Sequence, residues 1–406
     1  MRFFRWLTVA VLVAVVSACA SPPTPSLDHQ AYVWQRQWTP ALAASLEAMR
    51  SDFSGWRVLA AESTAAGELS DAAPRLDLLA RSDKPVIAVL RLNGSRPPPS
   101  IETIAKRIDE ITAAWRAAGV SLAGIEIDHD CATAQLDAYA DWLAQVHARL
   151  PGDLKLSITA LPTWIGAPAL PRVLAQVDAS VLQVHAIAAP RAGQATANLF
   201  DATQARRWIE AYAAVAPRSF RVALPAYGLR IGFDEDGRAV AVEGEMPRAV
   251  DADRAHEVRV DPLAVAALMR RLASAHPAQL AGVVWFRLPS EDDRRAWSVA
   301  TLHAVITGAA LKSDVAAQTK AANDGAASDL ILSNRGTLDA PLPASVTVAA
   351  RQCSAADALS GFRAERVDGG WQFFSDADAI LRAGHERRIG WLRCASIERI
   401  SVHESP

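Results

Sequence analysis

Gly124-Ile125-Glu126-Ile127-Asp128-His129-Asp130 alternates acid with Ile or His. On an extended strand alternate side chains share a face, so Glu126, Asp128 and Asp130 point one way while Ile125, Ile127 and His129 point the other. A sheet closed into a barrel with helices outside gives such a strand two different environments, and the acids must then face the barrel interior. Burying a carboxylate costs several kcal/mol unless it is hydrogen-bonded or protonated. Mutual repulsion among neighbouring carboxylates also raises at least one pKa. A chain seldom accepts that cost without use, and in a (β/α)8 barrel the C-terminal strand ends, where Asp130 falls, carry the active site.

Working outward, short apolar runs of strand character recur at residues 31–35, 56–60, 85–90, 124–130, 154–160, 181–185, 220–224 and 282–287. Amphipathic stretches separate most of them. Ile101, Ile104, Ile108, Ile111 and Trp115 form a stripe of period 3.6, opened by Ser100 and closed by Gly119. Similar stripes run through Leu136, Tyr139, Leu143, Val146 and Leu150, through residues 263–272 and through residues 297–306, whereas the second and fifth crossovers are weaker. Eight such units over about 275 residues suit a (β/α)8 TIM barrel, typically about 250 residues. A doubly wound open sheet is the alternative, but no glycine-rich phosphate loop follows the first strand. Residues 231–233 and 239–242 flank Asp236-Gly237, the pattern of a tight hairpin at the barrel mouth.

Ahead of the barrel, Arg2 and Arg5 precede an apolar run, residues 6–16, too short for a bilayer span of roughly 20 residues, and Val16-Ser17-Ala18-Cys19 follows. This is the lipobox pattern, which makes Cys19 the expected site of lipidation. Residues 1–19 read as a lipoprotein signal peptide and residues 20–30 as a polar, Pro-rich tether. Ala20 occupies the position where an Asp would favour inner-membrane retention. The expected location is therefore the bacterial cell envelope, at the outer membrane facing periplasm or surface.

Residues 31–308 form the expected barrel. Residues 316–328 hold little that is large enough to bury, so 309–328 reads as a linker. Runs at 330–332, 345–348, 371–374, 389–392 and 400–402 make residues 329–406 a small C-terminal β-sandwich. Trp371, Phe373, Phe374 and Trp391 are many aromatics for so small a core, which suggests an accessory module packed on the barrel or holding a partner. Cys353 and Cys394 are the disulfide candidate, with two free thiols as the alternative, and Cys131 is expected as a buried free thiol. A formal charge of −2 without a basic stripe argues against nucleic acid as a partner. No CxxC or HExxH spacing supports a zinc site, and no cofactor is implied.

Residues 124–130 resemble the DGxDxDxE signature of the family-18 glycoside hydrolases, the chitinases and their relatives. Residues 156–162, Leu224-Pro225-Ala226-Tyr227-Gly228 and Gly282-Val283-Val284-Trp285 are similar to that family's fifth, seventh and eighth strands, the last with the tryptophan that floors the sugar site. The whole chain also resembles bacterial lipoproteins carrying the domain of unknown function DUF3142, a resemblance that implies no activity. The hydrolase resemblance implies Asp130 as general acid, Asp128 as the residue positioning the reacting group and Glu126 as a deeper support. Departures stand beside it: Ala123 replaces the opening Asp, Glu126 the second Asp, and Asp130 the catalytic Glu. The family's substrate-assisted mechanism needs a 2-acetamido sugar.

Around the mouth, Trp34, Arg91, Asn93, Trp164, Gln183, His185, Tyr227, Trp285 and Arg287 are candidates for substrate contact, because sugar rings stack on aromatic faces and their hydroxyls need donors and acceptors. His129 reads as structural, and Asp292-Asp293 as a helix N-terminal charge pair. Together these residues predict a glycan hydrolase. A non-catalytic glycan-binding or scaffolding lipoprotein, and a metal-dependent hydrolase using Asp128, Asp130 and His185, are the competing readings.

Overall fold

The computed structural model describes residues 26–64, 67–185, 199–236, 239–243, 255–321, 327–375 and 379–404. Cys19 and the expected signal peptide lie outside them. No helix among the described residues is long and apolar enough to cross a membrane.

Eight parallel strands close into a barrel: Asp28–Val33, Gly55–Ser63, Val86–Leu92, Leu122–His129, Lys155–Ala160, Ala179–Gln183, Phe220–Pro225 and Leu280–Phe286. Closure runs through the first strand, which pairs with both the last (Ala31 beside Trp285) and the second (Ala31 beside Trp56). Each crossover carries a helix. The two weak stripes correspond to helices of six residues, Leu76–Arg81 and Leu170–Ala175, less than two turns and too short for the apolar stripe to repeat clearly. The clearest stripe forms Ile101–Ala117, where the Ser100 hydroxyl accepts from the Thr103 N–H at 3.2 Å and Gly119 takes a left-handed φ of 80°. Its buried face is Ile104, Ile108, Ile111, Thr112 and Trp115.

Strand parity separates two cores. Outward residues such as Ala31, Trp56, Ile125, Ile127 and Trp285 pack under the helices in the main apolar cluster. Tyr32, Val89, Val181, Ala223 and Val284 fill the barrel itself, with Trp34 and Phe286 above them. After the seventh strand the expected hairpin appears as Gly228–Phe233 paired with Ala239–Glu243, and Ala255–Arg259 adds to its other edge. The turn residue Gly237 lies outside the described residues.

The expected linker is corrected by the structure. Val315–Ala321 is a strand that pairs antiparallel with Ser328–Asn334 over seven residue pairs. Its position at the sheet edge explains the composition, since an edge strand is held by main-chain hydrogen bonds and needs few large side chains. The C-terminal unit is all antiparallel: a six-stranded sheet, plus a ribbon of Ala340–Pro341 and Ile380–Leu381 that makes the second layer much smaller than the first. Leu342 and Leu381 from that side pack with Val346, Val348, Phe373 and Leu392 of the large sheet. Cys353 and Cys394 face each other across two long strands and form a disulfide, while Cys131 is a buried free thiol. Of the four aromatics that suggested a packing module, Phe373 is fully buried and Trp371, Phe374 and Trp391 are half-buried.

This unit packs on the barrel. Asp339 accepts from the Ser298 N–H at 2.8 Å and its own N–H reaches the Thr301 hydroxyl at 3.1 Å, which ties the unit to the first turn of the helix Val299–Thr307. Arg382 donates to the carbonyls of Ser290, Asp293 and Ala296, and His385 meets Glu291 at 2.7 Å.

Candidate functional site

The three acids of the fourth strand do face inward, at successive depths. Glu126 is fully buried. It accepts from the Tyr32 hydroxyl at 2.7 Å and the Ser157 hydroxyl at 3.1 Å and forms an ion pair with Arg57, which also donates to Gln30 at 3.0 Å. Burial pushes the Glu126 carboxyl above the usual range, and the Arg57 charge opposes it. One level up, Asp128 accepts from Thr159 at 2.7 Å, Arg91 at 2.6 Å and Gln183 at 3.4 Å. Asp130 stands just past the strand end with Oδ2 2.7 Å from the other arm of Arg91. Its Oδ1 is buried and has no hydrogen-bond partner among the described residues. Burial and then the Asp128 charge raise its pKa, against the opposing charge of Arg91. The loop after the third strand holds Asp130 from behind. A Cβ on Gly94 would sit 2.2 Å from the Asp130 carbonyl oxygen, so only glycine lets the two backbones approach.

Asp128 and Asp130 line a pocket of about 520 Å³ at the C-terminal mouth of the barrel, with Trp34, Arg91, Gln183, His185 and Tyr227. His185 Nδ1 lies 3.2 Å from the Tyr227 hydroxyl, the ring stacks on Phe286 at 5.3 Å, and Nε2 is buried with no hydrogen-bond partner among the described residues. Burial lowers its pKa to about 4, leaving the ring neutral near pH 7, and burial raises the Tyr227 hydroxyl to about 12. A neutral imidazole can accept from or donate to a ligand hydroxyl, depending on tautomer.

Five expected site residues, Glu126, Trp285, Trp164, Arg287 and Asn93, lie elsewhere. Glu126 is beneath the pocket floor and does not line it. Trp285 is at outward parity, fully buried, its Nε1 donating to His29 at 3.1 Å; the inner position of that strand belongs to Phe286. Trp164 is likewise sealed under the helical layer, donating to the Cys131 carbonyl at 3.0 Å and packing on Tyr139. Arg287 is buried in an ion pair with Asp293 and lies over the Tyr227 ring at 5.7 Å, so it supports the wall. Asp293 is thus a buried counter-ion that also accepts from the N–H groups of Arg295 and Ala296; the helix itself starts later, capped by Ser298. Asn93 accepts from the Ser95 N–H and shapes a turn. His129 is buried against Tyr139, as expected of a structural residue.

The sequence reading missed Tyr32, Arg57, Thr159, Phe286 and the mouth pair Arg36–Glu62 at 2.6 Å. Running the same parity over the first, second, fifth and eighth strands would have found the first four. Arg57 is the plainest signal, a charged residue at an inward position between Trp56 and Val58. No group of three metal-ligating side chains is assembled among the described residues. The Arg91 guanidinium occupies the place between Asp128 and Asp130 that a cation would take, and this geometry disfavours the metal-dependent reading.

A closed parallel (β/α)8 barrel with a carboxylate pair at its C-terminal mouth is thus the class defined by fold and site. The chain belongs to the family described as Domain of unknown function (DUF3142), matched over residues 82–291, and residues 317–395 match a second, Domain of unknown function (DUF8456). No curated protein matches the chain. Among solved structures it is similar to the spore cortex-lytic enzyme SleL of Bacillus cereus, at 12% identity and TM-score 0.47 over 65% of this chain and 71% of that one. A chitinase from Chromobacterium violaceum is similar at 16% identity and TM-score 0.45, over 66% and 96% of the two chains. A class V chitinase from Pseudomonas fluorescens shows 15% and 0.47 over the same shares. The barrel architecture rests on the strand pairings of this chain.

Proposed function

We propose that the barrel mouth binds and hydrolyses a polysaccharide or peptidoglycan-type glycan, with Asp130 as general acid and Asp128 orienting the reacting sugar. The observation that carries this is the Asp128–Arg91–Asp130 cluster. One carboxylate is saturated by three donors, and its neighbour, one residue pair further up the strand, keeps an oxygen free and a raised pKa. That asymmetry divides the pair into an acceptor and a proton donor, as acid-assisted glycoside cleavage requires. Trp34, Tyr227 and Phe286 supply apolar faces beside polar atoms of Asp130 and His185 that have no partner among the described residues, which suits a sugar's two-sided surface. Proton transfer from Asp130 to the glycosidic oxygen, with water as the final acceptor of the glycosyl group, completes the reaction.

Purified protein incubated with chitin oligomers, peptidoglycan and exopolysaccharides is expected to release reducing ends from at least one. Binding without turnover, unaffected by Asp130→Asn, selects instead a glycan-binding scaffold, a reading favoured by the shorter Asp at the acid position. We further propose that Cys19 anchors the mature chain to the outer membrane. Cys19→Ser should move the protein from the membrane fraction to the soluble fraction, and unchanged fractionation refutes the anchor.

A further inference from the structure

A groove of about 990 Å³ that the glycan reading leaves unused lies between the barrel and the C-terminal sheet. Tyr227 lines both, so the groove begins at the pocket wall. Three of its arginines, Arg259, Arg294 and Arg387, have no carboxylate partner among the described residues, and none of the cations lining the groove is a lysine. The carboxylates beside them are engaged: Glu257 with Arg295, Glu291 with His385, Glu386 with Lys320, while Asp261 and Asp339 accept from backbone N–H groups. Arg387 spends one nitrogen on the Ser360 carbonyl.

We propose that this groove binds the anionic groups of an acidic glycan, extending the mouth so that carboxylate, phosphate or sulfate substituents on one part of the polymer are held while another part enters the pocket. The inference rests on the glycan reading of the pocket and narrows it to an acidic substrate class. Guanidinium forks match such oxyanions bidentately, and arginines lining a cleft, with Arg259 and Arg387 half-buried in it, suit a polymer strand better than a flat membrane surface. Burial and the neighbouring Arg294 charge both lower the Arg387 pKa. Two guanidinium groups held together in this way are relieved by an incoming anion.

Affinity electrophoresis of the full chain through gels containing polygalacturonate or neutral dextran tests this. The parent should be retarded by polygalacturonate alone, and Arg294→Glu, at an exposed position that does not threaten folding, should weaken retardation about tenfold or more, with Arg294→Glu/Arg387→Gln weaker still. Asp130→Asn should be retarded like the parent. If no glycan is hydrolysed yet Arg294-dependent retardation persists, the hydrolase reading fails and the groove stands. If neutral glycans are hydrolysed while polygalacturonate retards Arg294→Glu and parent alike, the groove fails alone. Arg294-dependent binding of the Cys19→Ser chain to phosphatidylglycerol vesicles, without polygalacturonate retardation, also overturns the proposal.

Discussion

Replacing Arg57 by Met should unfold the barrel more readily than any change at its mouth. The Arg57 and Glu126 side chains are 3% and 0% exposed, so the substitution strands a carboxylate with no solvent to take up its charge. Breaking a buried ion pair by removing one partner costs about 3 to 5 kcal/mol. At about 2 °C per kcal/mol for a domain of this size, the melting temperature should fall by about 6 to 10 °C. Glu126 can relieve part of that cost by taking a proton. Burial already raises its pKa and Arg57 is the charge that restrains it, so the loss should grow as pH rises. Glu126→Gln removes the charge but keeps an acceptor for the Tyr32 hydroxyl. In Arg57→Met/Glu126→Gln the deficit should shrink, giving a coupling of about 2 kcal/mol in a calorimetric double-mutant cycle. Additivity within about 0.5 kcal/mol would show that the pair is not what holds the barrel floor. Turnover per folded molecule should survive Glu126→Gln within a few-fold, because Glu126 does not reach the pocket.

Cys353→Ser with Cys394→Ser opens a loop spanning 41 residues and should lower the stability of the C-terminal unit by about 4 kcal/mol, read as a separated first transition in calorimetry; a single unshifted transition contradicts it. Burial lowers the His129 pKa to about 4, below its unfolded value near 6.5, so the folded state binds fewer protons across that window and stability falls as pH drops through it, by an order of 3 kcal/mol. Glu126 and Asp130, with raised pKa values, act in the opposite sense. His129→Phe should therefore flatten the acid side of a melting-temperature profile between pH 6.5 and 4, and an unchanged slope refutes the assignment. Phe286→Ala should weaken ligand binding about tenfold while Trp285→Phe costs about 1 to 3 kcal/mol of stability and leaves affinity alone; the reverse pattern would place the sugar on the other residue.

The barrel was legible because its signal is repeated: eight apolar runs, and one strand whose acids reveal which parity faces inward. Where that parity was not carried to other strands, the reading slipped. Trp285 and Trp164 are large aromatics near strand ends, yet both belong to the outer layer, and Phe286, one residue on, takes the inner place. The partners of the acids were harder to see. Arg91 lies on the neighbouring third strand in register with Asp128, and Arg57 reaches Glu126 from the second strand across the barrel interior, so both partners depend on strand pairings that lie far apart in the sequence. Repulsion among three crowded carboxylates was the natural expectation; two arginines offset it. The edge strand Val315–Ala321 was illegible for another reason, since main-chain pairing with Ser328–Asn334 leaves little trace in side-chain composition.

Asp130→Asn separates a general acid from a structural acid most directly, because it keeps the side chain's size and one acceptor for Arg91 while removing the transferable proton. Turnover and dissociation constant should be measured on the same glycan, with melting temperature as the check on folding. General acid catalysis contributes about 10²- to 10⁴-fold, so turnover should fall by that factor, with affinity within about threefold of the parent and a melting temperature no more than slightly changed. Parental turnover from a folded Asp130→Asn protein would contradict the assignment of Asp130 as the acid.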